Sequence, residues 1–305
     1  MTTYSLAAYE LAVRLVRTKK TIMVEGSSDK RVITRMMLER GTQKGGDFPC
    51  LVDESAIVND AQLSGMGSKE RVETIAAAIG VKNCARFNWM VDREWEGFDT
   101  DQPETFAPLA YTTWGLRTKG HSIENYWLRV DALQKYLRLF FPDVLSVTFF
   151  ADLENRFGKM LKLAAAYSFG AKKCNIISRC GDAVSRQDVE WTGVDYVIVP
   201  SFSTRMAMRG VAVDAAVEVN TELSRESLQV ASHDALQWMC HGHLAEEMIR
   251  ACTANLAAEH GTPVQALEQV ERGRRLEKQM SDADFVAGLD DGEVDPLGHL
   301  LEWAE

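Results

Sequence analysis

Apolar residues at helical spacing open the chain. Leu6, Tyr9, Val13 and Val16 predict a first helix over residues 5–19. The apolar, partly β-branched run from Thr21 to Val24 predicts a short buried strand that delivers Glu25 at its carboxyl end. Val32, Ile33, Met36 and Met37 return to helical spacing, giving a helix over 28–40 with Gly41 as its stop. Gly45, Gly46 and Asp47 form a turn, and a second strand lies within 50–58. Gly65 to Lys69 reads as a loop in which Ser68 caps a helix over 69–79, ended by Gly80. The run from Arg86 to Val91 is a third strand ending at Asp92, and Leu109 to Trp114 is a fourth. Alternation of helices and strands predicts an α/β fold with a parallel sheet flanked by helices.

Past residue 130 the pattern changes. Asp131 and Gln134 have capping-box spacing and start a helix to Phe141, and 148–168 reads as a long helix. Tyr196 to Pro200 is one more short strand, placed at the sheet edge because proline follows it. Residues 225–259 form one or two helices, and Thr262, Pro263 and Gln265 start a last helix that runs to about Met280. The expected organisation is a metal-binding domain over 1–130, then a mainly helical region over 131–305 with an acidic C-terminal tail.

Composition narrows the classes. Of 305 residues, 46% are hydrophobic and 26% charged, which suits a globular protein with sizeable cores. No apolar run approaches the length of a bilayer span, and the amphipathic N-terminus is unlike a signal peptide. The six cysteines are scattered without a C-x-x-C pair, which points to reduced thiols in a cytosol. A net charge of −10 counts against a simple nucleic-acid binder, but a nuclease needs acidic metal ligands and only a local basic track. The charge is uneven: seven basic residues and one acid lie between Asn155 and Arg186, and eight acids with no Lys or Arg between Asp282 and Glu305.

The candidate chemistry sits at strand ends. Glu25 ends the first strand, and Asp29 lies one helical turn on. Asp92 and Glu94, two apart in an extended segment, point to one side. Glu124 follows the fourth strand. If the first, third and fourth strands are parallel neighbours, these five carboxylates gather at one edge and repel unless cations lie between them. Hard oxygen ligands suit Mg²⁺ or Mn²⁺. Two such ions about 4 Å apart are a recurring device for phosphodiester cleavage. The plainer alternative makes Glu25 a solvated loop residue and Asp29 a partner of the helix dipole.

These residues carry a resemblance. Val24-Glu25-Gly26 with Asp29, then Asp92-x-Glu94, then His121-Ser122-Ile123-Glu124-Asn125-Tyr126 resembles the TOPRIM-like nucleases of the overcoming-lysogenisation (OLD) type. It is similar in particular to a compact group that accompanies ABC-type ATPases in PARIS anti-phage defence systems. The resemblance covers roughly residues 20–128. It implies a TOPRIM-like sheet and a metal-dependent nuclease, with Glu25 and Asp29 on one metal and Asp92, Glu94 and Glu124 on the other. The usual motif is Asp-x-Asp; here the second acid is Glu94, one methylene longer, which puts its ion position in doubt. The resemblance further implies a toxic effector that cleaves host tRNA, restrained by an AriA-like ABC-type ATPase until a trigger appears. A DNA endonuclease with the same site, and a non-catalytic scaffold docking on an ATPase, are the alternatives.

Other residues stay open between two readings. His121 can donate to a scissile phosphate or orient Glu124, or serve as a structural hydrogen-bonding group. Lys119 and Arg93 can contact phosphate or be ordinary exposed loop cations. Arg156, Lys159 and Lys162, one turn apart, with Lys172 and Lys173, can follow a phosphate backbone or form a solvated helix face. Cys240-His241-Gly242-His243 lacks a partner pair for zinc and reads as core and turn. Gly65 to Lys69 lacks phosphate-loop spacing. Leu223, Leu228, Leu236, Met239, Leu244 and Met248 read as core or as the seam of a homodimer formed by the active protein. The acidic tail can shield a basic surface or merely solubilise.

Overall fold

A computed structural model describes residues 3–44, 50–105, 112–273 and 295–305. The chain divides into two units. Unit 1 comprises Met1–Arg93, Leu109–Ile123 and Glu277–Glu305; unit 2 comprises Glu94–Pro108 and Glu124–Leu276.

Unit 1 begins with α1 (Leu6–Leu11), which passes directly into a π-helical turn, Ala12–Val16. Ser5 caps α1 by accepting from the Ala8 N–H at 3.3 Å. β1 (Lys20–Val24) follows, then α2 (Ser27–Lys44), β2 (Cys50–Glu54), α3 (Ser68–Ile79), β3 (Phe87–Val91) and β4 (Leu116–Arg117). The strands form one parallel sheet in the order β2-β1-β3-β4. Successive side chains of a strand face opposite ways, so β1 is buried on both sides, as a parallel sheet covered by helices requires. Met23, Phe87, Trp89 and Val91 pack with Tyr9, Val13 and the buried face of α3 (Val72, Ile75, Ala76, Ile79).

Several boundaries depart from the sequence expectation. α2 runs through Gly41 to Lys44, because one glycine costs a helix only about 1 kcal/mol. Ser68 is the first residue of α3 and its side chain caps nothing; Gly67 holds the cap position. Gly80 does end α3, at φ +78°. The fourth strand is Leu116–Arg117, later than 109–114; Thr112 to Gly115 form a bend, and 109–111, like the turn at 45–47, lie outside the described residues.

The end of the acidic tail is no solubilising coil. Residues Pro296–Ala304 form a helix capped by Asp295, whose Oδ1 accepts from the Leu297 N–H at 2.8 Å. Leu297, Leu300, Leu301 and Ala304 are buried in unit 1. Arg40, 5% exposed, pairs with Glu305 at 2.9 Å, and Lys20 donates to the Trp303 carbonyl at 2.6 Å. Its acids are therefore partly spent on helix capping and on one buried arginine. Residues 282–294 lie outside the described residues.

Unit 2 is built on α5 (Val147–Lys173), preceded by α4 (Val130–Phe140) and followed by a short α6 (Ile177–Cys180). α5 exceeds its predicted span because Leu161, Ala164, Ala165 and Phe169 continue its buried face. Asp131 does not cap α4; its carboxylate takes the Arg129 guanidinium at 2.8 Å. β5 (Val189–Trp191) and β6 (Tyr196–Ile198) form an antiparallel hairpin of their own, so the strand at 196–200 does not join the parallel sheet. Gly193, at φ +92°, makes the turn between them.

Then come α7 (Ser201–Met208), α8 (Ala215–Leu223), α9 (Glu226–Val230), α10 (His233–Met239), α11 (Gly242–Glu259) and α12 (Val264–Arg272). The stretch 225–259 is thus three helices, because Ser232 and His241 each start a new one. α12 ends at Arg272, short of Met280, with Gly273 at φ +47°; 274–280 lie outside the described residues. Leu223, Leu228, Leu236, Met239, Leu244 and Met248 are all buried within unit 2, so they are core and not a dimer seam. Among the described residues, no helix is long and apolar enough to cross a membrane.

Candidate metal centre

The order β2-β1-β3-β4 has a switch point. From β1 the chain moves outward to β2, then returns through α3 to β3 on the other side of β1. The carboxyl ends of β1 and β3 flank the crevice where open α/β sheets bind ligands. Glu25 stands one residue past β1, and Asp92 one residue past β3. The two are tied: the Asp92 N–H donates to Glu25 Oε1 at 2.7 Å. The Glu25 carbonyl in turn accepts from Ser55 Oγ at 2.9 Å.

Asp29 lies in the first turn of α2 and accepts the Gly26 N–H on Oδ2 at 3.0 Å. Asp92 accepts the Ile123 N–H on Oδ1 at 3.2 Å. Together Glu25, Asp29 and Asp92 line one small pocket with Ile33, Thr118 and Ile123; its volume is about 10 Å³. That is the room a single water or small ion needs. The sheet thus brings three of the five predicted carboxylates to one crevice.

Neighbouring groups fix this edge. Lys69, in the first turn of α3, donates to the Asp92 carbonyl at 2.9 Å. Arg93 is 2% exposed, and its N–H donates to Thr118 Oγ1 at 2.9 Å. Its Nη1 donates to the Lys119 carbonyl at 3.2 Å, while Thr118 Oγ1 donates to the Gly120 carbonyl at 2.8 Å. Arg93 is therefore a buried clamp on the loop after β4 and not an exposed phosphate contact. Lys119 lies half-buried on that loop, and His121 is buried at 5% exposure. Sequence reasoning gave Lys69 only a place in a loop; the one available signal was its position at the start of a helix entering from the strand-end side.

Glu94 and Glu124 belong to unit 2. Glu94 is exposed and has φ +56°, a left-handed conformation unusual for glutamate. It is thus not in the extended segment that would align it with Asp92. Glu124 is 2% exposed, and its Oε1 lies 3.2 Å from His243 Nδ1. The rings of His241 and His243 are 6.3 Å apart. Burial first, then the neighbouring His243, pulls the His241 imidazole down to about 4, against the opposing pull of Glu124 and Glu94. Core and turn describe the Cys240–His243 stretch correctly: Cys240 is buried and ends α10, and His241 starts α11. The imidazole–carboxylate contact with Glu124 joins residues far apart in the chain, and no spacing could have shown it.

The expected basic track is bound up within unit 2. Arg156 pairs with Glu259 at 2.8 Å and covers the Trp191 ring, and Lys159 pairs with Asp195 at 2.7 Å. Lys162 donates to the Gln229 carbonyl; burial lowers the pKa of its amine. Lys172 lies over Trp95 at 4.3 Å, and Lys173 pairs with Glu222 at 3.0 Å. The face is a set of intramolecular pairs more than a line of cations offered to phosphate.

Among the described residues, no three His, Cys, Asp or Glu side chains stand in an arrangement that holds a metal ion. In the unit 1 crevice the reason is visible: each of the three carboxylates directs one oxygen at a backbone N–H. The donor chemistry still fits a hard divalent cation, being all carboxylate, set at the ends of rigid strands, around space for one ion. All six cysteines are free, and burial pushes the Cys50 thiol up to about 12, so it is no thiolate ligand. Compared with models of protein families and with curated proteins, the chain has no match.

Proposed function

We propose that this chain is a divalent-cation-dependent endonuclease of TOPRIM-like type that cleaves RNA, with tRNA as its substrate class. The observation that carries this reading is the meeting of Glu25, Asp29 and Asp92 at the switch point of a parallel sheet. Structural carboxylates do not need that location, whereas ligand sites of open α/β sheets use it repeatedly. The resemblance to the PARIS effector AriB supplies the rest: a toxic anti-phage effector, released from an AriA-like ABC-type ATPase and active as a homodimer.

Glu25, Asp29 and Asp92 would hold Mg²⁺ or Mn²⁺, and the resemblance assigns Glu94 and Glu124 to the same chemistry. A bound divalent ion supplies charge stabilisation to a phosphodiester under attack and acidifies water. The chain's own part is positional. The Asp92 N–H holds the Glu25 carboxylate, and the Ile123 N–H holds that of Asp92. Preset dipoles and charges of this kind lower the reorganisation needed when charge develops.

A second reading has its own observation. Three carboxylates that each accept a backbone N–H are also what a non-catalytic scaffold would use to tie its strand ends. One experiment separates the two. Purified chain is incubated with total tRNA and with plasmid DNA, with Mg²⁺, Mn²⁺ or EDTA, beside Glu25→Gln. Discrete tRNA fragments that require metal and Glu25 support the RNase reading. Cut plasmid with intact tRNA moves the assignment to a DNA endonuclease. If neither is cut, toxicity in cells carrying the activated ATPase is compared; equal toxicity of wild type and Glu25→Gln leaves the scaffold.

A further inference from the structure

We propose that Lys69 is a positioning residue of the strand-end site, and that its ammonium takes the place of a second cation in the unit 1 crevice. This rests on the metal-dependent reading above. Asp92 is held at three points. Its N–H goes to Glu25, its carboxylate to the Ile123 N–H, and its carbonyl to Lys69 Nζ at 2.9 Å. Two of those points are backbone groups and one is the carboxylate, so the residue is fixed as a whole. Lys69 is the only one of the three partners that brings a positive charge.

Lys69 is half-buried in the first turn of a twelve-residue helix that begins beside the strand ends. Its ammonium is therefore carried by a rigid element and not by a loose loop. Three carboxylates are balanced by one ammonium and one divalent ion. A second divalent ion would leave two positive charges in excess. Space argues the same way: the crevice holds about 10 Å³, room for one ion, whereas a two-ion site spans about 4 Å between centres. The inference is a single divalent cation in this crevice, with Lys69 as the fixed charge beside it.

The test is Mn²⁺ titration of the full chain by calorimetry, with electron paramagnetic resonance as a second count, for wild type, Lys69→Met and Lys69→Arg. Mn²⁺ bound in the crevice is taken as the part lost in Glu25→Gln. The expected result is one such Mn²⁺ in the wild type and in Lys69→Arg, which keeps the charge. Lys69→Met should bind Mn²⁺ at least about threefold more tightly, or take up a second ion, because a repelling charge is gone. Circular dichroism and thermal melts establish that each variant is folded; if Lys69→Met does not fold, Lys69→Gln replaces it. Two Glu25-dependent ions in the wild type, or a neutral variant that binds like the wild type, overturns the role of Lys69 and leaves the metal reading standing. No Glu25-dependent Mn²⁺ in the wild type overturns the metal reading itself.

Discussion

Glu25 has two separable duties, and two substitutions divide them. Glu25→Gln keeps an oxygen that can accept the Asp92 N–H, whose bond is 2.7 Å long and partly buried, but it removes the charge. Glu25→Ala removes both. A hydrogen bond to a charged group is worth about 1.5–3 kcal/mol, and a buried donor left without an acceptor costs about 1–3 kcal/mol. The Asp92 N–H sits at the end of a fully buried strand, so Glu25→Ala should lower the unfolding free energy by about 2 kcal/mol. Glu25→Gln retains a neutral bond and should lose about 1 kcal/mol or less. Urea denaturation measures both, and Mn²⁺ titration and tRNA cleavage run beside it. Glu25→Gln should be nearly as stable as wild type yet lose cleavage and most Mn²⁺ affinity. The reasoning is refuted if Glu25→Gln cleaves and binds Mn²⁺ like wild type, since the charge is then not used. Equal stability of all three proteins would sink the other half, since the bond to Asp92 would then hold nothing together.

Further outcomes follow from particular contacts. Gly115 has φ +77°, and a Cβ there would lie 2.3 Å from Trp89 Cζ2; Gly115→Ala should cost about 2–4 kcal/mol in chemical denaturation, from backbone strain plus overpacking. Asn125, fully buried, donates to the Gln237 and Cys240 carbonyls at 2.6 and 2.9 Å. Asn125→Ala should therefore destabilise unit 2 by about 2 kcal/mol, read as a lower urea midpoint. His241 is held near 4 in the folded protein against 6.5 for an ordinary imidazole. Between these values the unfolded chain binds more protons, so stability should fall as pH drops from about 6.5 to 4 and then level off, by at most about 3 kcal/mol. Denaturation at stepped pH checks this, and His241→Gln should flatten that part of the profile.

Much of the fold could be read from the chain because its signals are local. The strand at Thr21–Val24 and the strand ending at Asp92 are short apolar runs broken by polar residues, and Gly80 marks a helix end by its backbone freedom. These alone predicted carboxylates at strand ends. Signals that depend on a partner were not legible. The hairpin of β5 and β6 needs two three-residue strands to find each other, and neither is long enough to show a period. Asp131 has the spacing of a cap yet bonds Arg129, because either satisfies it.

The sequence by itself determined the alternation of helices and strands and the residues that end β1 and β3. Only the tertiary structure decided the order β2-β1-β3-β4, which sets Glu25 beside Asp92. It also decided that Lys69 reaches the Asp92 carbonyl, that Glu124 meets His243, and that the last eleven residues return to unit 1. The physical reason is range: helix and strand periodicity act over a few residues, whereas strand order, ion pairs and burial join groups that the chain keeps far apart.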